Sequence, residues 1–480
     1  MNKHPVSLDQ ISREALIALI GQQAQQIEAL QAQVKLLQAQ AEKLERQIAK
    51  NSTNSSKPPS SDGLKKPAPK SRREKGQRKT GGQMGHEGET LEMVALPDAV
   101  VCHSLTTCHH CQQDLSEVAM VGQVKRQVFD LPPVQLQVTE HRAEVKACPG
   151  CGQRQRATFP AGVTAATQYG PRLLAQAVYL HSYHLLPLGR IQEWFQDLLG
   201  QAPSEATIQR AVQQMSAAVS PALDAIYAGV TQATVVHADE TGVRIAGRLG
   251  WLHTVSTTDL TYYTVHAKRG DEAILDAGVL PACRGWLVHD GFKPYMGFTT
   301  VRHALCNAHH LRELEFLGEQ YQAQWAKPMQ QVLLTMKRRR DATPHGLRPA
   351  VMASLERRYD RLLSQGFAAF PPQPRPPNSK QRLAQHPVTN LLLRLHKHRE
   401  AVLAFLLHPE VPFDNNLAER DLRMMKVKQK ISGCFRTWAG AEAFVALRTY
   451  LSTARKQGLS MLHAVYLAFL GTPFIPALPE

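Results

Sequence analysis

The chain has 480 residues, a formal net charge of +16 and 43% hydrophobic residues. That length corresponds to about three domains of ~150 residues, and the hydrophobic content excludes a wholly disordered protein. No apolar run approaches the ~18–20 residues that a membrane-spanning helix needs, and the polar N-terminus has no signal-peptide core. Eight cysteines are too few for a disulfide scaffold, so we expect a cytoplasmic protein in a reducing compartment.

The positive charge is concentrated in two parts of the chain. Residues 57–80 carry nine basic and two acidic side chains. Residues 311–416 carry 16 basic and nine acidic side chains, and residues 417–430 carry five and two. Such local excesses of Lys and Arg indicate a polyanionic partner, and DNA is the partner expected here.

A heptad repeat runs from Leu16 to Ile48. One heptad position holds Ile20, Ile27, Val34, Ala41 and Ile48, and the position four residues earlier holds Leu16, Gln23, Leu30, Leu37 and Leu44. Nine of these ten side chains are apolar, and β-branched residues followed by Leu in this order favour a parallel two-stranded coiled coil. We therefore predict a homo-oligomer. An amphipathic helix packed on its own domain is the alternative.

The segment from Asn51 to Thr80 is rich first in Ser, Asn and Pro and then in Lys and Arg. It cannot bury enough apolar surface to fold alone, so we predict a basic, disordered linker. It is either a solvated spacer or an arm that neutralises DNA phosphates. The side chains expected to contact DNA are Lys65, Lys66, Arg72, Arg73 and Lys75.

Two CxxC pairs, Cys108 with Cys111 and Cys148 with Cys151, are separated by 36 residues. Four thiolates at tetrahedral Zn–S distances of ~2.3 Å form a closed structural site for one Zn²⁺. The alternating run at 134–139 predicts a strand of an inserted β-hairpin, so the pattern indicates a zinc ribbon. Unliganded thiols are the alternative.

The region that follows has the periodicity of helices and contains a candidate helix-turn-helix motif. Its elements are a helix at 190–199, a turn at 200–204 and a second helix at 205–215, which Ser204 is placed to cap. In such a motif the second helix enters a DNA groove. Simple packing of two helices is the alternative.

Two buried, strand-like runs, 234–239 and 285–290, end in Asp239 and Asp290. Side chains alternate along a strand, so Asp239 and Glu240 face opposite ways, and we assign the site to Asp239. Between these runs the sequence predicts strands at 250–257 and 260–267 and a helix at 271–277. This order is that of a ribonuclease-H-like core, although an Asp at a strand end is also a common turn residue.

A late helix supplies a third acid, Glu419, with Asp414 placed to cap the helix. Asp421 is rotated about 200° from Glu419 and therefore lies off that face. Three converging carboxylates are suited to about two Mg²⁺ or Mn²⁺ ions. The basic neighbours expected to hold the nucleic-acid backbone are Arg420, Arg423, Lys426, Lys428 and Lys430. A solvated surface helix is the alternative.

Taken together, these motifs resemble the insertion-sequence-66 family of bacterial transposases over nearly the whole chain. The segments that carry the resemblance are 50–62, 81–86, the two CxxC pairs, 239–241, 290–291, 306–309 and 414–420. The Asn-Ser-Ser-Lys-Pro-Pro-Ser-Ser tract and the Asp-Asn-Asn-x-x-Glu-Arg box are very specific in combination.

The resemblance implies a DDE-type transposase that binds terminal inverted repeats and catalyses metal-dependent strand cleavage and strand transfer. Asp239, Asp290 and Glu419 match the catalytic triad, and the 128 residues between the last two fit a helical insertion with a Pro-rich break at 371–377. The insertion's basic run at 337–340 either touches DNA or faces solvent. Accessory proteins encoded by the element are further implied partners.

Cys306 and His309 match the family's motif, but one thiol and one imidazole are too few ligands for a metal site. We therefore interpret both as structural residues near the core.

The predicted fold class is α+β with several domains. We expect a coiled-coil zipper at 1–50, a linker at 51–95, a zinc ribbon at 96–160, a helical region at 161–230, a ribonuclease-H-like core at 231–430 with an insertion at about 311–410, and C-terminal helices at 431–480. Two other functions stay open at this point. One is a zinc-ribbon, coiled-coil DNA-binding regulator without catalytic activity, and the other is a ribonuclease-H-like host nuclease that cuts without joining.

Overall fold

The structure is a computed structural model that describes residues 12–50, 90–343, 346–374 and 384–478. The basic linker residues Lys65, Lys66, Arg72, Arg73 and Lys75 lie outside the described residues, as does part of the Pro-rich break. None of the helices in the described ranges combines the length and the apolar composition that crossing a membrane requires.

The chain divides into two compact units. Among the described residues, the larger unit comprises 12–50, 169–192 and those from 203 onward, and the smaller comprises 90–168 and 193–202. The predicted zinc ribbon therefore lies in the smaller unit, and the predicted heptad helix and catalytic core lie in the larger one.

The heptad segment forms one long helix, α1 (Arg13–Ile48), which Ser12 caps by accepting the N–H of Ala15 at 3.2 Å. Its predicted seam is mostly open to solvent, and side chains more than half exposed include Ile20, Ile27, Leu30, Val34, Leu37, Leu44 and Ile48. Within the described residues, the C-terminal end of this helix contacts the core, and the Arg46 guanidinium lies 4.9 Å from the Tyr321 ring centroid. Packing on its own domain therefore does not explain the apolar stripe.

Regular structure in the smaller unit is sparse. Two three-residue strands, β1 (Val145–Ala147) and β2 (Arg154–Arg156), pair in antiparallel orientation around the second CxxC pair. The predicted strand at 134–139 is wrong, since that segment is irregular. Its apolar face stays uncovered, with Val134 48% and Val138 88% exposed, and alternation without a surface to pack against does not form a strand.

Four helices follow, and they confirm the predicted helical region. They are α2 (Pro171–Ser182), α3 (Leu188–Leu199), α4 (Glu205–Ala218) and α5 (Ser220–Gln232). Ser204 caps α4 as predicted, because its hydroxyl accepts the N–H of Thr207 at 3.2 Å. One face of α4, with Ala211, Val212 and Met215, is buried in a helical core, so packing accounts for part of this helix. DNA recognition by its other face stays a prediction.

A five-stranded mixed sheet lies at the centre of the larger unit. Its strands are β3 (Val235–Ile245), β4 (Arg248–Ser256), β5 (Thr261–His266), β6 (Trp286–His289) and β7 (Arg302–Leu305), in the spatial order β5-β4-β3-β6-β7. Strands β3, β4 and β5 are antiparallel, whereas β6 and β7 run parallel to β3. Two short helices, α6 (Asp271–Ala277) and α7 (Val279–Ala282), connect β5 to β6.

All four predicted strands of the core and the helix at 271–277 are present. Two features differ from the prediction. Strand β3 continues six residues past Asp239 to Ile245, because β4 pairs with it along that whole length. Strand β7 was missed, since its four residues, Arg-His-Ala-Leu, contain no β-branched side chain and owe their conformation to pairing with β6.

A helical insertion separates β7 from the helix that carries the third acid. It comprises α8 (Asn307–Tyr321), α9 (Ala326–Asp341), α10 (Pro349–Ala369), α11 (Pro387–Lys397) and α12 (Arg399–Leu407). Their buried side chains form one core, which continues under the sheet to Trp286 and Val288. Part of the basic run of α9 is structural, because Arg340 donates to the carbonyl of Val411 at 3.1 Å.

The chain ends with α13 (Asn416–Ile431), α14 (Trp438–Lys456) and α15 (Met461–Phe469). Helix α14 covers the edge strand β5. The hydroxyls of Thr453 and Thr449 accept the N–H groups of Thr261 and Tyr263 at 3.1 Å and 3.0 Å. Two outward-facing backbone donors of this edge are therefore satisfied within the chain.

Candidate metal and nucleic-acid site

The parallel pairing of β3 with β6 places two aspartates side by side. The last paired residues are His237 and Val288, and Asp239 and Asp290 each lie two residues further along. Both acids therefore lie just past the end of the β3–β6 pairing, at the same end of these two strands. The carboxylate of Asp290 accepts the N–H of Phe292 at 2.8 Å, across a turn in which Gly291 has φ 92°, a conformation that glycine adopts readily.

Helix α13 brings Glu419 to this end of strands β3 and β6, and Asn415 fixes the start of the helix. The buried side-chain amide of Asn415 donates to the carbonyl of Ala238 at 2.8 Å. Its oxygen accepts from Nδ1 of His237 at 2.9 Å, so this ring nitrogen carries the hydrogen. Its backbone N–H donates to Sγ of Cys306 at 3.2 Å. One residue thus links β3, the end of β7 and α13.

The predicted cap of α13 needs a correction. Asn415, not Asp414, is the N-cap residue, and its side chain faces β3 instead of capping the helix. The carboxylate of Asp414 accepts the N–H of Asn416 at 3.1 Å, so it stabilises the turn that precedes the helix.

The three predicted catalytic carboxylates influence one another electrostatically. Burial raises the pKa of Asp239 well above its usual range, and the neighbouring charges of Glu240, Asp290 and Glu419 raise it further. Burial also raises the pKa of Glu419, with Asp414 and Asp290 acting in the same direction and Arg312 and Arg423 opposing them. Because each ionised carboxylate disfavours the others, this edge of the sheet is an unfavourable place for negative charge without a cation.

Glu240 lies on the opposite face of β3, as the alternation of side chains predicted. Its carboxylate accepts from the Tyr295 hydroxyl at 2.5 Å and from Arg269 at 2.7 Å. The Arg269 guanidinium in turn lies over the Phe292 ring, 4.2 Å from its centroid. Glu240 is thereby held in an internal ion pair, which supports Asp239 as the residue that faces the site.

Asp421 is also outside the carboxylate cluster. Its side chain accepts from Lys456 at 2.8 Å, from Ser256 at 2.7 Å and from Thr261 at 3.1 Å. It therefore anchors α13 to the distal strands and to α14, in agreement with its predicted rotation away from Glu419.

A pair of histidines supports the strand that carries Asp290. His289 accepts the N–H of Gly291 on Nδ1 at 3.1 Å, and its Nε2 lies 3.2 Å from Nδ1 of His303. Nε2 of His303 contacts the carbonyl of Phe298 at 3.0 Å. Burial lowers the pKa of His289 to about 3, so the ring is neutral and structural, as expected for a satisfied core histidine.

Cys306 and His309 lie beside Glu419, which the sequence alone did not indicate. Potential ligand atoms of these three side chains all lie within 4.8 Å of one another. Nδ1 of His309 is 3.8 Å from Oε1 of Glu419. Burial lowers the pKa of His309 to about 3, so its ring is neutral. Cys306 and His309 lie just after β7, and Glu419 lies on α13. The meeting of these two elements at the same end of the sheet is the signal that could have linked the three residues.

The basic residues of α13 fall into two groups. Arg420, Arg423 and Lys430 are exposed, whereas Lys426 is half-buried and donates to the carbonyl of Gly242 at 3.3 Å. Lys428 is a correction to the predicted DNA contacts. It is only 6% exposed, and its ammonium group lies 4.2 Å from the centroid of the Phe435 ring. Its position on α13 turns it toward the core, where burial lowers its pKa.

Each CxxC pair forms a similar turn. In the first, the N–H of Cys108 donates to Gln113 and that of Gln112 to Cys108, both at 2.9 Å. In the second, the N–H of Cys148 donates to the carbonyl of Gln153 at 2.9 Å. Backbone N–H groups of the loop lower the pKa of both leading thiols, as a thiolate ligand requires.

Each turn by itself therefore fits one half of a Zn²⁺ site. The groups of three or more potential ligands that the described residues bring within 4.8 Å do not include these cysteines. Convergence of all four sulfurs on one ion stays a prediction.

Comparisons with known proteins agree with the resemblance drawn from the motifs. Residues 166–443, more than half of the chain, match the transposase IS66 family. Residues 106–152, which include both CxxC pairs, match the zinc-finger binding domain of transposase IS66. Residues 7–92, with the heptad helix and the linker, match a family of unknown function (DUF6444).

Among curated proteins, the chain is similar to the "Uncharacterized protein y4jO" of Sinorhizobium fredii (strain NBRC 101917 / NGR234). The two are 28% identical over 115 residues, which is 24% of this chain and 31% of the relative. The chain thus spans about a third of the length of the curated relative that it matches. The family match is far more extensive and covers the sheet, the insertion and helix α13. This chain belongs to the IS66 transposase family.

Proposed function

We propose that the protein is a transposase of a bacterial insertion sequence, which binds terminal inverted repeats and catalyses DNA strand cleavage and strand transfer in the cytoplasm. Asp239, Asp290 and Glu419 are its catalytic carboxylates. The observation that carries the proposal is their placement at one end of the β3–β6 pair, where Asp290 raises the pKa of Asp239 and of Glu419, and Glu419 raises the pKa of Asp239.

The strand order supports a ribonuclease-H-like core. Three antiparallel strands are followed by two that run parallel to the first, and the first strand, β3, is central. The acids lie on β3, after β6 and on a late helix, α13. The insertion α8–α12 enters between the second and third acid, so it adds a helical layer without interrupting the sheet.

The donor set fits Mg²⁺ or Mn²⁺. Carboxylate oxygens are the ligands that these hard cations prefer, and a cation would offset the repulsion among the three acids. Two such ions, when bound, supply a clamp for the attacking and leaving oxygens of an in-line phosphoryl displacement. The chain's own part is to hold the ligands in place, with Asn415 fixing α13 against β3 and Glu240 locked in its ion pair.

Exposed cations on α13 are placed to bind the DNA backbone next to these acids. Arg420 and Arg423 follow Glu419 within one helical turn, and Lys430 continues the exposed side toward the helix end. Their contact with phosphates would release counterions and make DNA binding depend strongly on salt. The basic segment 57–80 would add a second, sequence-independent contact.

We assign the CxxC pairs to one structural Zn²⁺ that organises the smaller unit. The match to a zinc-finger domain and the lowered thiol pKa values support this assignment. Metal analysis should find Zn²⁺ that the double substitution Cys108→Ser with Cys148→Ser removes. An equal zinc content in the native protein and in the double variant would contradict the assignment.

The test of the catalytic proposal is cleavage and joining of a terminal-repeat duplex in Mg²⁺. Asp290→Asn and Glu419→Gln should each abolish cleavage and leave end binding nearly intact, because they remove ligand charge without removing DNA contacts. Asp421→Asn is the control, since this acid lies on the same helix as Glu419, two residues later, but outside the carboxylate cluster. Full cleavage by either of the first two variants would overturn the assignment.

The same assay separates the other two functions. Cleavage that is never followed by joining would indicate a host nuclease. End binding with no cleavage by the wild-type protein in either Mg²⁺ or Mn²⁺ would indicate a DNA-binding regulator.

A further inference from the structure

Two buried polar atoms face each other beside the carboxylate cluster. Nδ1 of His309 and Oε1 of Glu419 are 3.8 Å apart, and neither has a hydrogen-bond partner among the described residues. Both side chains are largely covered, with 14% and 25% exposed. Buried acceptors without partners are costly, and an ion between them is one of the recognised explanations.

The third member of this group is Cys306. It directly follows β7, and its backbone N–H donates to the carbonyl of His289 at 2.9 Å. The N–H of His309 donates to the carbonyl of Cys306 at 3.2 Å, so the turn that opens α8 presents both side chains together. Sγ of Cys306 also accepts the backbone N–H of Asn415 at 3.2 Å. Burial raises the pKa of this thiol to about 12, so the thiolate form needs a bound cation beside it.

We propose that Cys306, His309 and Glu419 bind a thiophilic divalent cation, Zn²⁺, in a site distinct from the predicted ribbon. A sulfur, an imidazole nitrogen and a carboxylate oxygen form a ligand set for Zn²⁺ and not for Mg²⁺. Tetrahedral Zn²⁺ ligands at ~2.0–2.3 Å from the ion lie about 3.5 Å from one another, close to the spacing found here. Three protein ligands leave a fourth position for water.

A consequence for catalysis rests on the proposed function, in which Glu419 is a ligand of the Mg²⁺ site. Zn²⁺ bound with Cys306 and His309 would engage the same carboxylate. Zinc should therefore inhibit strand cleavage by withdrawing the third acid, and excess Mg²⁺ should not relieve that inhibition readily because it cannot replace the thiolate and imidazole contacts.

The direct test is the zinc content of the full-length protein after equilibration with Zn²⁺ and removal of unbound metal. Cys306→Ser and His309→Gln should each lower the content by about one ion per chain relative to wild type. Serine keeps an acceptor for the N–H of Asn415, so this change spares the local hydrogen bond. The matched control is Cys283→Ser, which alters a buried thiol whose hydrogen-bond partners are the backbone carbonyls of Val230 and Val279.

A second readout distinguishes ligand loss from misfolding. Co²⁺ loaded at this site in wild type should give a thiolate charge-transfer absorption that Cys306→Ser removes in part and Cys283→Ser leaves unchanged. The zinc concentration that halves cleavage should rise at least tenfold in Cys306→Ser and in His309→Gln, each measured against its own rate without zinc.

The outcomes separate the two proposals. Equal zinc content in wild type and in both variants, with equal thermal unfolding midpoints, would overturn the site. A variant that fails to fold is replaced by the other, since His309 lies in the first turn of α8 with its side chain 14% exposed, whereas Cys306 is fully buried. If the variants lose one zinc but the wild-type protein never cleaves DNA, the zinc site stands and the proposed function is rejected.

Discussion

The side-chain amide of Asn415 donates a hydrogen bond to the carbonyl of Ala238 at 2.8 Å, and Ala238 directly precedes Asp239. This bond joins the helix of the third acid to the strand of the first. It explains the role of the asparagine that directly precedes α13. The side chain of a conventional N-cap residue accepts N–H groups of its own helix, whereas that of Asn415 bonds to strand β3. The alignment of Glu419 with Asp239 thus depends on a residue that has no chemical role of its own.

Asn415→Ala should impair cleavage by about 100-fold, because a misplacement of ~1 Å at a reacting centre has that effect. It should also lower the free energy of unfolding by about 3 kcal/mol, since His237 and the carbonyl of Ala238 lose buried partners. Asn416→Ala is the control, because Asn416 is exposed. Cleavage assays and denaturant unfolding measure both effects. Wild-type values for Asn415→Ala in both would refute the positioning role.

The stability of the metal-free protein should depend on pH through Asp239 and Glu419. Both have a raised pKa in the folded state, so their contribution is fully present below the unfolded pKa of about 4 and is lost as pH rises through the folded value. Stability should therefore fall as the pH rises above about 4. Asp239→Asn should reduce that fall and stabilise the metal-free protein at pH 8.

Mg²⁺ should restore the stability lost at high pH, because it binds the ionised carboxylates of the folded state. Thermal unfolding with chelator and with Mg²⁺, at pH 4.5 and pH 8, measures this effect. The midpoint should rise on addition of Mg²⁺ at pH 8 and change little at pH 4.5. An equal rise at both pH values, or the same rise in Asp239→Asn, would argue against these carboxylates as the ligands.

Lys428 and Lys430, two residues apart on α13, should behave differently on substitution. Lys430→Ala should weaken DNA binding about equally across sequences and reduce the slope of log K against log salt by about 1. Lys428→Ala should leave that slope unchanged and lower the free energy of unfolding by about 1 kcal/mol, since its buried stem packs over Phe435. Titrations at several salt concentrations, with parallel unfolding curves, decide this. A reduced salt-dependence slope in Lys428→Ala would show that Lys428 does contact DNA.

The exposed seam of α1 predicts that the protein associates through this helix. Ile27→Lys combined with Val34→Lys should convert a dimer to a monomer, because both side chains are more than half exposed and lie at the core position of the heptad. Gln25→Lys, on the outer side of the same helix, is the control. Light scattering gives the mass. A monomeric wild type, or a double variant that remains dimeric, would reject the zipper.

Four of the five strands of the core were predictable because each is a short buried run that ends in an acid or a turn. The run 234–239 and the helix at 271–277 are local patterns of this kind, and both are present. Strand β7 and the failure at 134–139 show the limit of such patterns. In both segments the outcome depends on whether another part of the chain supplies a pairing edge or a covering surface, and that is not encoded nearby.

The candidate site was predictable in its acids and not in its supporting contacts. Asp290 and Glu419 stand in recognisable motifs, whereas the bond from Asn415 to Ala238 joins residues 177 positions apart. Likewise, Cys306 and His309 alone are too few ligands for a metal, and the sequence does not indicate that Glu419 lies beside them. The sequence predicts an exposed Lys428 because its neighbours on the helix are basic. Its burial depends on Phe435, which belongs to a later loop.

The separation between Ala238 and Asn415 has a consequence for synthesis. Translation at ~5–20 residues per second takes roughly 9–35 seconds to cover those 177 residues. During that time the nascent chain has already produced the heptad helix, the basic linker and both CxxC pairs, but not the third acid. In the proposed function, a ribosome-bound chain of this length would therefore hold the basic linker proposed to contact DNA before it holds all three acids proposed to cut it.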